Sequence, residues 1–169
     1  IHRDLAFSIT QRGFERLAES RTLLRIERHA ILSDQRTIAV VTPAGRITWL
    51  CLPRLDSPAF FAELLGGPEA GFFAIEPVSG GAPIGQEYLE NSLLLRTRWE
   101  TFSITDYLDC SGGRAYQRAG RSDLVRLIEG RGMVRIVFAP RPDFGRVEAT
   151  LNIREQGVEL TGVSEPCVL

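Results

Sequence analysis

From Ile26 onward, short apolar runs alternate with turn-forming residues at intervals of about 8–12 positions, the rhythm of a sandwich or barrel. Ile38 to Val41 reads as a strand, and Thr42-Pro43-Ala44-Gly45 as a turn, with Pro fixing φ early and Gly accepting a positive φ late. Arg46 to Leu52 returns as the partner strand, placing Ile47, Trp49 and Cys51 on one face and Thr48 on the other. Pro53, lacking an N–H, ends the ladder. Ser57 and Pro58 then read as the N-cap and first residue of a short helix. Phe60, Phe61, Leu64 and Leu65 form its apolar stripe and Gly66-Gly67 its stop.

Further strands are expected over 72–76, 93–99 and 102–108, the last two joined by a tight turn at Glu100-Thr101. Leu93, Leu95, Thr97 and Trp99 share a face, so Trp99, like Trp49, belongs with the core set. Gly130-Arg131-Gly132 predicts a hairpin between strands 124–129 and 133–139. Val147, Ala149, Leu151 and Ile153 alternate before a turn at Glu155-Gln156-Gly157 and a last strand over 158–161. The short turns require antiparallel pairing. The expectation is an all-β antiparallel sandwich of about eight or nine strands with one short helix, occupying residues 26–169. Residues 1–25 differ: Phe14, Leu17, Ala18 and Leu24 fall loosely at helical spacing, giving a weak helix or a mobile arm. Loops 78–85 and 109–122 are Gly-rich and expected to be exposed.

Composition narrows the classes. The 169 residues are 44% hydrophobic and 24% charged, which are globular values. All 20 basic residues are Arg, but 21 acidic residues balance them and no dense basic run occurs. Codon preference explains the Arg usage better than nucleic-acid binding does. No apolar run approaches the roughly 18–20 residues of a membrane helix. The N-terminus, Ile1-His2-Arg3-Asp4, lacks the apolar centre of a signal peptide. Cys51, Cys110 and Cys167 are widely spaced and odd in number, unlike a disulfide framework or a zinc site, so a reducing, cytoplasmic setting is expected.

Catalytic equipment is sparse. His2 and His29 are the two histidines, and neither a phosphate-binding loop nor a dinucleotide fingerprint is present. No metal or cofactor is expected. Asp34, Asp56, Asp106, Asp109, Glu129 and Asp143 supply carboxylates, which cap turns or pair with Arg more often than they form an acid–base couple. The most informative stretch runs from Trp49 to Pro58. A strand ends at Pro53, and Arg54, Asp56 and Ser57 cluster beyond it, where Arg54 can pair with Asp56. This corner is either a rigid structural bend or a surface that presents Trp49 and Arg54 to a sugar or a neighbouring domain.

The same stretch carries a resemblance. Ala30-Ile31-Leu32-Ser33-Asp34 with Arg36-Thr37, then Trp49-Leu50-Cys51-Leu52-Pro53-Arg54 and Asp56-Ser57-Pro58, is similar to the start of bacterial glycoside hydrolase family 15 proteins, the glucoamylases and trehalases. Tyr88-Leu89, Leu93-Leu94-Leu95, Ile104-Thr105-Asp106-Tyr107, Leu124 to Gly130 and Pro140-Arg141-Pro142-Asp143-Phe144-Gly145 keep the family's order. The sequence departs at Leu55, where the family usually has Phe, at Ser33, where it has Gly, and at Thr48, where it has Asp. The resemblance implies a trehalase-like N-terminal β-sandwich that supports and borders a catalytic α/α barrel. That barrel carries two glutamates acting by inversion on α-glucosidic bonds. No residue here matches those glutamates, so no catalytic residue is expected in this segment. Trp49, Pro53, Arg54, Asp56 and Ser57 then form a domain-interface or sugar-edge loop, with the barrel as partner and trehalose or an α-glucan at a composite site.

The alternative is an independent carbohydrate-binding sandwich, which needs an exposed aromatic platform. The sandwich is also expected to be incomplete at Leu169, so that the isolated chain dimerises through an open edge or the surface near residues 49–65.

Overall fold

A computed structural model describes residues 25–110, 121–163 and 167–169. The expected helical reading of residues 1–25 and most of the 109–122 loop lie outside the described residues. Within them the chain forms antiparallel strands in three sheets. The largest contains β1 (Ala30–Ser33), β2 (Ile38–Val41), β3 (Ile47–Cys51), β5 (Phe72–Pro77) and β10 (Val134–Ala139) in that order, with β4 (Ala59–Phe61) also paired to β3. The second runs β6 (Gly85–Tyr88), β7 (Leu95–Arg98), β8 (Phe102–Leu108), β9 (Leu124–Gly130). The third runs β11 (Thr150–Arg154), β12 (Gly157–Thr161), β13 (Cys167–Val168).

One apolar core joins them. Leu32, Val41, Ile47, Leu50, Phe61 and Phe73 of the first sheet pack with Leu95, Ile104 and Leu108 of the second and Leu160 of the third. Trp99 and Phe102, flanking the β7–β8 turn, stack at 4.6 Å between ring centroids and close the core. The expected β2–β3 hairpin forms, with Gly45 at φ 72° and its N–H bonded to Thr42 O at 2.9 Å. A Cβ at Gly45 would lie 3.2 Å from the Trp99 ring, so this position needs glycine for both its backbone and its close approach. The β7–β8 and β11–β12 hairpins also form as expected.

Three expectations are corrected. The helix starting at Ser57-Pro58 is absent. Ala59-Phe60-Phe61 instead forms β4, pairing Leu50 with Phe61 and Cys51 with Ala59. Aromatic residues favour a pleated, buried surface, and here that preference overrides the apolar spacing. One helical turn, α1 (Glu63–Gly66), follows and leaves Leu64 and Leu65 exposed; Gly67 ends it as expected. The second correction concerns Gly130-Arg131-Gly132, which does not join a hairpin. β9 pairs with β8 while β10 pairs with β5, so the segment carries the chain from one sheet to another. Both glycines take positive φ, and a Cβ at Gly130 would meet Thr101 O at 2.5 Å. Their turn signal was sound, but a turn signal does not say which sheet receives the next strand. Third, the strand over 158–161 is followed by β13, which covers its outer edge.

The two main layers are also joined by charge. Asp106 on β8 and Arg126 on β9 stand directly opposite and form a bidentate pair at 2.8 and 3.1 Å, with side chains 0% and 3% exposed. Arg126 reaches across to the other sheet, donating to Phe73 O at 3.0 Å and to Gly45 O, with its guanidinium 4.7 Å from the Phe73 ring centroid. Each nitrogen of the buried guanidinium thereby has an acceptor, the condition for tolerating charge in a core.

Candidate functional site

The site is built from the turn between β1 and β2. Asp34, 1% exposed, accepts the N–H groups of Arg36 and Thr37 on Oδ1, both at 2.9 Å. Such a short side chain closing its own turn is a familiar use of Asp, and Gln35 takes the positive φ of 69° that the turn requires. The Thr37 hydroxyl donates to Cys51 O at the end of β3. The Leu55 N–H donates to Arg36 O at 2.9 Å, bringing the loop after Pro53 against the same turn. Ser122 Oγ, just before β9, lies 3.2 Å from both Asp34 Oδ2 and Pro53 O. Three stretches far apart in sequence are thus tied around one buried carboxylate.

On the solvent side of this node sit two ion pairs of identical spacing. Arg54 binds Asp56 through Nε and Nη2 at 2.9 and 3.0 Å, and Arg121 Nε binds Asp123 at 2.7 and 2.9 Å. Arg36 Nη1 donates to Arg121 O at 3.2 Å and links the two arms. Exposed pairs of this kind contribute roughly 0–1 kcal/mol to stability. The backbone that carries them is tied to the node beneath, through Pro53 O, the Leu55 N–H and Arg121 O.

The sequence-predicted residues divide. Arg54 and Asp56 pair as their spacing suggested. Ser57 caps no helix: its N–H donates to Arg54 O at 3.1 Å, and its Oγ accepts the Arg54 N–H at 3.2 Å, closing a turn. Pro53 ends the ladder and presents its carbonyl to Ser122. Trp49 is half-buried rather than a core residue. Irregularities in register between Val40 and Val41 and between Leu50 and Cys51 break the simple alternation of β3, so Ile47, Thr48, Leu50 and Cys51 are all buried. Trp49 packs instead on a satellite cluster of Cys51, Ala59 and Ala62, with its ring 6.1 Å from Phe144 and tilted by 58°. Burial pushes the Cys51 thiol above its ordinary value, and the Cys167 thiol likewise.

Sequence reading missed Arg121, Ser122, Asp123 and Phe144. The repeated Arg-x-Asp spacing at 54–56 and 121–123 was the one available signal; nothing local tells that the two segments meet. Three other candidate carboxylates have partners in Arg: Asp106 with Arg126, Glu129 with Arg96 at 3.8 Å, and Asp143 with Arg146 at 3.9 Å. Among the described residues no group of three or more His, Cys, Asp or Glu is placed to hold a metal ion, and no helix is long and apolar enough to cross a membrane. The rim offers cationic donors and carboxylate acceptors, which suits contact with a hydroxyl-rich ligand or a polar domain surface.

The family model described as trehalase-like, N-terminal, matches residues 17–169. Among curated relatives, the trehalase of Mycobacterium tuberculosis is 41% identical over 73 residues, covering 43% of this chain and 11% of the relative. Trehalase 1 of Sulfolobus acidocaldarius is 26% identical over 125 residues, covering 73% and 21%. The trehalase of Thermoplasma volcanium is 25% identical over 146 residues, covering 81% and 23%. The chain thus spans between 11% and 23% of the length of these relatives. No solved structure matches it.

Proposed function

This chain belongs to the trehalase-like, N-terminal family, and on that premise we propose that it is the non-catalytic sandwich of an enzyme cleaving α-linked glucosides, with trehalose as the favoured substrate. The named relatives, all trehalases, favour trehalose over maltodextrin. The reaction is assigned to an α/α-barrel domain of glycoside hydrolase family 15 type. There one glutamate protonates the leaving oxygen and a second activates water for inversion. The sandwich occupies residues 26–169, with residues 1–25 as an extension, and its task is to border the barrel and the edge of the sugar site. Three cysteines without a disulfide among the described residues fit a cytoplasmic enzyme.

The observation that carries this reading is the exposed Arg54–Asp56 pair mounted on the buried Asp34 node. A rim with little worth to stability, carried on a loop whose backbone is tied to the node, is suited to meeting something outside the domain. The experiment is to express the complete polypeptide that contains this domain and follow trehalose by proton NMR at early times. Inversion releases the attacked glucose as the β-anomer and leaves the departing glucose as the α-anomer. Two α-anomers, or no cleavage, contradict the proposal.

A second reading, an independent carbohydrate-binding module, is favoured by the exposed Phe144 ring packed against Trp49. Retention of this chain alone on an insoluble α-glucan distinguishes it.

A further inference from the structure

The segment after β10 takes an unusual path. Asp143 (φ 50°, ψ 48°) and Phe144 (φ 57°, ψ 30°) are both left-handed, and Gly145 continues at φ 80°. Left-handed backbone at non-glycine residues is disfavoured, and two in succession persist only where the surroundings hold them. Here they are held. Arg141 N–H donates to Phe60 O at 3.0 Å, Gly145 N–H to Arg141 O at 3.0 Å and Arg146 N–H to Asp143 O at 3.0 Å, with Pro142 buried beneath.

Packing does not repay this conformation. The Phe144 side chain it positions rests at a tilt against Trp49, yet remains 49% exposed. Glycine at 144 would relieve the backbone at small cost in burial. The neighbouring Asp143 carboxylate is 34% exposed and forms an ion pair with Arg146 at 3.9 Å, longer than a hydrogen bond, and a carboxylate so paired keeps lone pairs that accept hydroxyls. An exposed aromatic ring next along the chain to a partly exposed carboxylate is a combination that a pyranose uses: its C–H face lies on the ring and its hydroxyls donate to the carboxylate oxygens. The size agrees. Half of a phenyl side chain offers on the order of 100 Å², one sugar ring's worth, whereas a protein partner needs about 800 Å².

We infer that Phe144, backed by Trp49 and flanked by Asp143, is a contact site for one glucosyl ring; the choice of glucosyl rests on the hydrolase reading above. The ring stacks on Phe144 and a hydroxyl donates to Asp143.

The test is saturation-transfer NMR on this chain with millimolar trehalose, beside its melting midpoint. Wild type should transfer saturation to the sugar C–H protons. Phe144→Gly, which removes the ring and relieves the backbone, should lose at least about fivefold of that signal while melting no lower than wild type. Asp143→Asn should weaken the signal while leaving the melt unchanged. No transfer to wild type, unaltered transfer to Phe144→Gly, or a Phe144→Gly variant that melts well below wild type would each overturn the inference, the last because the ring would then serve packing. These outcomes are separable from the parent reading. A complete enzyme that cleaves trehalose, joined with no sugar contact at Phe144, sinks this site alone. Lack of cleavage joined with Phe144-dependent transfer sinks the hydrolase reading alone.

Discussion

Asp106–Arg126 and Arg54–Asp56 use the same chemistry in opposite surroundings. In both, Nε and Nη2 of the arginine meet the two carboxylate oxygens, at 2.8 and 3.1 Å in the first and 2.9 and 3.0 Å in the second. The first pair is 0% and 3% exposed and also ties the two main sheets together through Phe73 O and Gly45 O. The second is 64% exposed at Arg54 and 71% at Asp56 and rests on a node that would persist without it. Geometry alone therefore does not tell a structural ion pair from one available for recognition. What decides is whether removing one partner strands a charge away from water.

The largest expected effect follows from that. Arg126→Ala should destabilise the domain by about 3–5 kcal/mol, because Asp106 is left buried and unpaired. The double change Asp106→Leu with Arg126→Met should recover much of the loss. Urea unfolding measures both, and a single-variant loss below about 1 kcal/mol would erase the contrast between the pairs.

The two tryptophans sharpen it next. Trp99 is 7% exposed and stacked on Phe102, so Trp99→Ala should cost about 3–5 kcal/mol. Trp49, half-buried beside an exposed Phe144, should cost clearly less. Equal losses would mean that the satellite cluster is as much core as the sandwich interior.

That pair of residues also shows what the sequence could and could not tell. Both tryptophans sit in alternating apolar runs, and alternation placed both inside. It succeeded for Trp99, beside the regular strand β7, and failed for Trp49, because β3 is irregular and buries neighbours on both faces. The β2–β3 and β7–β8 hairpins were legible, since a Pro-Ala-Gly turn and a two-residue reversal are local chemistry. The Gly130 to Gly132 turn was equally visible, but its destination depended on where β5 waited, its residues 57–67 positions before their partners in β10, from Val134 with Pro77 to Ala139 with Phe72. In the site, Arg54 and Asp56 could be paired from their spacing. Ser122 and Asp123 could not be placed there, because Asp34 and Ser122 are 88 residues apart and meet through folding alone.

A smaller effect is expected from the thiols. Burial raises Cys51 and Cys167 above the ordinary value of 9.0, so the folded state disfavours the thiolate. The unfolded chain then loses protons first as pH rises. This contribution is complete below pH 9.0 and declines above it, toward the raised folded values. Melting midpoints should fall through that alkaline window, and Cys51→Ala should flatten part of the fall. A slope unchanged by the substitution would contradict the assignment.

The smallest effect on stability, and the most informative for function, is expected at the rim. Arg54→Ala should change unfolding free energy by less than about 1 kcal/mol. In the complete enzyme the same substitution should raise KM for trehalose several-fold, with the melting midpoint of the domain unmoved. A raised KM without loss of stability is the signature of a contact made to substrate rather than to the fold. A KM equal to that of the unsubstituted enzyme, or a KM change accompanied by a midpoint several degrees lower, would contradict the assignment of Arg54 to the sugar edge.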